Sequence, residues 1–309
     1  MKKRFASIIG LAVSAVLLAG GLVGCGAPSN GAGGGSDASG SAGNEATRAT
    51  TGTINLVTRE SGSGTRSAFV ELFEVQIANA EGKKVDAIDT SAVETNSTAV
   101  MLSTIKDDPR GIGYISLGSL NSDVTALSID GIAATTDNVK SGSYTVKRPF
   151  NIATTNNVSV ATQDFINFIF SAEGQQIVND DHYIAIDENA ARFASNAATG
   201  EVIIAGSSSV SPVMELLIEG YKSANPNVKV TLQTSDSSTG MSQALDGVCD
   251  IGMASRDLKD SETSAGLTSQ TIAIDGIAVI VNNNNSHSGL SKEQVAQIFL
   301  GQITDWSAL

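Results

Sequence analysis

The fold turns on the stretch "GTINLVTRESGSGTRSAFVELF", residues 52–73. It opens as an apolar strand, passes through Ser61, Gly62, Ser63, Gly64 and Thr65, and enters an apolar helical pattern at once. Arg59 and Arg66 bracket the turn. A buried anion needs such a place. A helix start offers unpaired N–H groups and positive dipole, and glycines let the backbone come close. Hydroxyls add donors, and a guanidinium fork grips two oxygens. The plain alternative is a capped helix behind a flexible loop, and this stretch alone leaves both readings open. A nucleotide loop is disfavoured, because no G-x-x-x-x-G-K-[ST] frame occurs. Gly62-Ser63-Gly64 also lacks the G-x-S-x-G frame of a nucleophile elbow.

Outward from this stretch the same pattern recurs. "VETNSTAVMLSTIKDDPRGIGYIS" (93–116) reads as loop, helix, a turn at Asp108-Pro109, then strand. "VTALSIDGI" (124–132) and "RPFNIATT" (148–155) read as strands, and "VATQDFINFIFSAEGQQIVNDD" (160–181) as a helix pair. Then come strand "EVIIAG", loop "SSSVSP" and a helix to Asn225. Strand "VKVTLQTS", loop "DSSTG", helix "MSQALDGV" and strand "CDIGMAS" follow. "TIAIDGIAVIVN" (271–282) is a long apolar strand and "SKEQVAQIFLG" (291–301) a last helix. The helix after Gly64 is expected to run through "TRSAFVELFEVQIANA", residues 65–80.

Such alternation predicts an α/β fold with mainly parallel sheets, whose ligands bind beyond the carboxyl ends of the strands. Three hydroxyl-rich loops fall there: Ser207–Ser209, Ser235–Gly240 and Ser61–Thr65. "ASRD" (254–257) is a fourth. One such loop means little; four in one chain point to a convergent oxyanion cage.

Composition narrows the partners. The formal charge is −13, and removing Lys2, Lys3 and Arg4 with a leader would take it to −16. So acidic a surface argues against nucleic acid or anionic lipid as the main partner. An anion must then be held by local donors in a deep pocket. Aromatics at 5% disfavour stacking on sugars or bases. His182 and His287 are isolated in polar surroundings and read as surface residues, so neither a metal cluster nor a Ser/His/Asp set is expected, and no cofactor. Cys249 reads as a small core residue without a disulfide partner.

The N-terminus carries an address. Lys2, Lys3 and Arg4 precede the apolar run "FASIIGLAVSAVLLAGGLV", which leads to "LVGC" ending at Cys25. A transmembrane helix is the alternative, but the run is short and rich in Gly and Ala. It resembles a bacterial lipoprotein signal peptide of residues 1–24, which implies lipid on Cys25 and attachment to the outer face of a cell membrane. Residues 25–51, Gly/Ser/Ala-rich, read as a flexible tether. About 258 residues remain, enough for one large or two modest domains with their own cores.

The loops resemble signature segments of the phosphate-binding proteins of bacterial phosphate ABC importers. "IIAGSSSVSPVMELLIEGY" is similar to that family's opening strand, loop and helix. "LQTSDSSTGMSQALDGVCDIGMASRDLKDSE" is similar to its second anion loop and the segment after it. "VTRESGSGTRSAF" resembles its central motif, and "IFLGQITDW" its stretch after the crossing strand. The resemblance covers nearly all of residues 52–309 and implies a two-lobed periplasmic-binding-protein-like fold with a hinge.

The order of segments is exchanged: what matches 201–309 comes first in that family, and what matches 52–185 second. A circular permutation accounts for this, with the old termini fused near residues 187–200; two half-copies with one half lost is the alternative. The permutation implies a discontinuous lobe, 52–149 plus 276–309, and a continuous one, 150–275. "RPFNIATT" and "TIAIDGIAVIVN" would then cross the hinge.

The resemblance implies phosphate-binding roles for Ser208, Ser209, Ser237, Ser255, Arg59, Ser63, Gly64 and Thr65. Arg256 stands where some relatives place a proton-accepting aspartate, and it too is expected at the site. Asp236 either faces the pocket or sits outside it. The implied function is capture of inorganic phosphate for the membrane subunits of an ABC importer, without chemistry on the ligand. A sensor or scavenger, a serine-dependent hydrolase, and a structural protein with a decayed site are the rivals.

Overall fold

The computed structural model describes residues 50–309. The expected signal peptide, Cys25 and nearly all of the tether lie outside them. One sheet runs through the described chain. Its order is Val228–Ser235, Gly200–Ser207, Ile251–Ala254, Lys147–Thr154, Thr268–Asn282, Gly111–Ser116, Asn55–Arg59 and Val93–Thr95. The outer strands at both ends pair in parallel. The two central strands run antiparallel to each other and to their outer neighbours. Antiparallel central strands let the chain cross between two α/β layers, and the loop-bearing strands of one layer run opposite to those of the other, so their carboxyl ends face each other across the boundary.

The apolar side chains gather accordingly. One buried cluster draws on residues 54–146 and 277–306, and two others on residues 150–273. In the first, Phe69 stacks on Tyr114 at 3.9 Å and meets Phe299 edge-on at 4.7 Å. In the second, Tyr221 packs edge-on against Phe165 at 5.0 Å. Each fully buried ring contributes roughly 2–3 kcal/mol by leaving water. The molecule is two-lobed because each layer has its own core.

Serines set the helix starts. Ser63, Ser97, Ser159, Ser171 and Ser291 each accept from the backbone N–H three residues on. Such a cap stabilises a helix by about 1 kcal/mol over alanine.

Four local expectations change. The first helix covers Gly64–Leu72 and not 65–80. Glu74 adopts φ 59°, and Val75 N–H donates to Val70 O at 2.9 Å, which ends the helix. Gln76–Ala78 then pairs antiparallel with Lys84–Asp86, where β-branched Val and Ile suit a strand. The stretch 124–132 is two strands, because Val124–Ala126 and Ser128–Ile129 have different partners. Residues 237–240 are the first turn of the helix Ser237–Leu245, not a loop. His287 is not a simple surface residue: it is half-buried and stacks on Trp306 at 4.8 Å.

Candidate anion site

Arg59 stands at the carboxyl end of Asn55–Arg59, and the chain turns at Glu60–Gly62 into the capped helix start. This brings Ser63, Gly64 and Thr65 to the boundary between the lobes. From the other lobe come Ser207, Ser208 and Ser209 after the strand Gly200–Ser207, Ser237 at its helix start, and Ser255 after Ile251–Ala254. All of these hydroxyls are buried. They meet across the lobes: Thr65 Oγ1 lies 2.8 Å from Ser209 Oγ. Glycine at 64 permits this approach, since a Cβ there would stand 2.4 Å from Ser237 Oγ and 2.7 Å from Ser255 Oγ.

The hydroxyls share a polarity. Ser208 Oγ accepts from Arg59 Nη2 at 3.1 Å and from Thr98 N–H at 3.4 Å. Thr65 Oγ1 accepts from Arg148 Nη1 at 2.7 Å. Ser237 Oγ accepts from Ser255 N–H at 3.1 Å, and Ser207 Oγ from Ser209 N–H at 3.3 Å. Guanidinium and N–H groups can only donate, so these hydroxyls act as donors in turn: Ser207 Oγ gives its proton to Ser255 Oγ at 3.0 Å, and Thr65 and Ser209 share a hydrogen bond across the lobes. A set of buried donors converging from both lobes is what an oxyanion requires.

Charge is placed with the same economy. Arg59 is 2% exposed and forks onto Glu60 at 2.7 and 2.8 Å, which holds its plane while leaving edges for Thr98 and Ser208. Arg148 pairs with Asp275 at 3.2 Å. Burial pushes the Asp275 carboxyl up to about 6, with Arg148 pulling it down. Beside the cluster opens a cavity of about 460 Å³ whose wall includes Ser97, Thr98, Ser208 and Ser211.

Of the residues named from the sequence, Arg59, Thr65, Ser208, Ser209, Ser237 and Ser255 join one hydrogen-bonded cluster, and Gly64 packs into it. Ser63 is buried beside them, its hydroxyl accepting from Arg66 N–H. Arg256 does not bring its guanidinium to the cluster. It forks onto Glu262 at 2.7 and 2.8 Å and donates to Ser238 and Asp257 O. A carboxylate within reach captures it, since a buried guanidinium without a counter-charge is costly. Asp236 caps the helix Ser237–Leu245 by accepting from Thr239 N–H at 3.0 Å. Arg66 turns outward to Asp86 and Glu94. The cluster also holds Ser207, expected only as the start of its loop, and Thr98, Arg148 and Asp275, which the sequence reading does not single out. Thr98 carried the signal already used elsewhere, a Ser/Thr pair between a strand and a helix. Arg148 and Asp275 were visible as charges inside apolar strand patterns.

Among the described residues no group of three or more His, Cys, Asp and Glu is placed to hold a metal ion. Cys249 is buried, and burial pushes its thiol up to about 11. No helix among the described residues is long and apolar enough to cross a membrane.

The sequence pattern of the PBP superfamily domain matches residues 41–173 and 191–309. The chain is 51% identical to phosphate-binding protein PstS 2 of Streptococcus agalactiae over 267 residues, 86% of this chain and 91% of that one. The crystal structure of a phosphate-binding protein of a phosphate ABC transporter from Streptococcus pneumoniae TIGR4 is similar with a TM-score of 0.66 at 43% identity. That likeness covers 83% of this chain and 99% of that one. With phosphate-binding protein PstS of Bacillus subtilis the match is 30% over 114 residues, 36% of this chain and 38% of that one. The chain therefore belongs to the PBP superfamily, in the family of phosphate-binding proteins that includes these streptococcal relatives.

Proposed function

We propose that this protein captures inorganic phosphate between its two lobes and delivers it to the membrane subunits of an ABC importer. One observation carries the reading: buried hydroxyls from the loops of both lobes meet in a cluster where guanidinium and backbone N–H groups donate to them. The names of the streptococcal relatives support it. Binding is paid for by charge-assisted hydrogen bonds in a desolvated site, which suits an acidic protein that cannot attract anions by net charge. The ligand is held and released unchanged. Attachment of a lipid to Cys25 would keep the domain at the membrane where the importer works.

The lobes are read as 52–149 plus 276–309 and 150–275, a division supported by the separate buried clusters. The exchanged segment order is read as a circular permutation. Two observations support that. The match to the Bacillus subtilis protein stops at about a third of either chain, as it would if only one segment aligned in order. Thr53 bridges Asp305, and Ile54 N–H donates to Thr304 O at 2.9 Å, so the two ends of the described chain lie side by side.

Isothermal titration of the protein with phosphate, repeated in excess sulfate, tests the function. Tight phosphate binding that sulfate does not compete away is expected. A folded sample silent toward phosphate would overturn the reading.

A further inference from the structure

Arg148 and Asp275 face each other in register on the two central antiparallel strands. Both lie where the chain leaves one buried cluster and enters the other, between Val146 and Phe150 and between Ala273 and Ile277. Their side chains are 2% and 1% exposed. Taking two charges out of water costs about as much as their attraction returns, unless further hydrogen bonds complete the geometry. Those further bonds go to the anion loops. Arg148 Nη1 donates to Thr65 Oγ1 at 2.7 Å and to Ser255 O at 2.9 Å, one partner from each lobe. Its Nε and Nη2 hold Asp275 Oδ2 at 3.3 and 3.2 Å, and Asp275 accepts from Gly118 N–H at 3.3 Å.

Resting on the anion-site reading above, we propose that Arg148 is a positioning residue of that site, with Asp275 as its counter-charge. It sits at the crossing between the lobes and reports to both. By donating to Thr65 it makes the threonine a donor, which an anion can take in place of Ser209 Oγ 2.8 Å away, and by donating to Ser255 O it keeps the second lobe's loop in register with the first. A fixed positive charge then stands one hydroxyl away from the ligand, where low dielectric makes it effective. Movement of the lobes about the crossing strands would stretch one of the two bonds from Nη1, so closure and donor orientation are coupled through a single guanidinium.

Phosphate titration of the full chain and four variants tests this. Arg148→Gln alone leaves Asp275 as an unpaired buried charge, so the main variant is Arg148→Gln with Asp275→Asn, which removes both charges together. Thr65→Val, the triple variant and Arg148→Lys complete the set, each checked for fold by circular dichroism. The double variant is expected to bind phosphate roughly tenfold or more weakly, the size of a lost hydrogen bond to a charged group. Arg148→Lys should recover part of that loss. Adding Thr65→Val to the double variant should cost much less than Thr65→Val costs alone, because both changes remove one donor. A purely structural pair would give additive losses. A double variant that binds as the parent does, or full additivity, overturns the inference while leaving phosphate binding intact. A parent silent toward phosphate overturns both.

Discussion

Gly64 and Ser237 approach from opposite lobes until a Cβ on the glycine would stand 2.4 Å from the serine Oγ. The contact is not required by Gly64's backbone, which opens a regular helix and shows no positive φ. Gly64→Ala should therefore leave each lobe folded, and alanine even favours the helix by up to about 1 kcal/mol. What it blocks is the meeting of the loops. Phosphate affinity is expected to fall by at least roughly tenfold with an unchanged circular dichroism spectrum. Undiminished affinity would show that the site closes by another contact.

Arg59 makes a different demand. It touches Ser208 and Thr98 with one edge while Glu60 grips the other. A lysine keeps the charge but loses the planar fork that serves both sides at once. Arg59→Lys is expected to weaken phosphate roughly tenfold, and Arg59→Gln more than Arg59→Lys. Glu60 stays partly solvated, with its side chain 17% exposed, so neither change strands a buried carboxylate. Equal affinities for the two variants, measured by titration, would remove charge from the account.

The alternation of apolar strands and amphipathic helices made the α/β architecture legible, and the serine-rich turns made the loops legible because cap residues and anion donors are the same residue types. Arg256 was misplaced for a reason local sequence does not carry. Whether an arginine faces a ligand or a carboxylate depends on what folds beside it, here Glu262 in the short helix Asp260–Ser264. Arg148 and Asp275 escaped for the opposite reason. Each looks like an isolated charge in its own strand, and only the register that sets them opposite one another turns them into a pair. The short hairpin after Phe73 was missed because apolar spacing continued past a residue whose left-handed backbone stops the helix.

Asp164 governs a pH dependence of stability. Its buried carboxylate accepts from Asn196 N–H, Ser195 Oγ, Tyr221 Oη and Asn225 Nδ2, between 2.8 and 3.0 Å. Burial alone would raise it, yet the four donors hold it below the usual carboxylate value. A depressed folded-state value means the stabilisation is complete above the ordinary carboxylate range. It is lost as the pH falls through the folded value. Asp164→Asn should cost about 2–3 kcal/mol at neutral pH, by setting an amide donor against four donors. The gap between parent and variant should narrow in acid. Urea unfolding at several pH values checks this, and a gap that stays constant from neutral to strongly acidic solution would sink it.

The side-by-side ends of the described chain allow the permutation to be tested by reversing it. Trp306 N–H donates to Gly52 O at 3.0 Å, and Gly52 N–H to Asp305 Oδ1 at 3.2 Å, so a few glycines can join Leu309 to Gly52. The new opening belongs between Asn189 and Ala190, in a stretch outside helices and strands. Its flanks stay tied through Phe193 N–H to Glu173 and Asn196 N–H to Asp164. Such exposed connections tolerate new termini, because few backbone hydrogen bonds cross them. The rearranged chain brings no new side chain to the anion loops and removes none. It is expected to fold and to bind phosphate within a few-fold of the parent, since loop closure changes with chain length only slowly. Loss of binding in a folded rearranged protein would mean that the order found here is itself required to bring Thr65 and Ser209 together, and the permutation reading would fall.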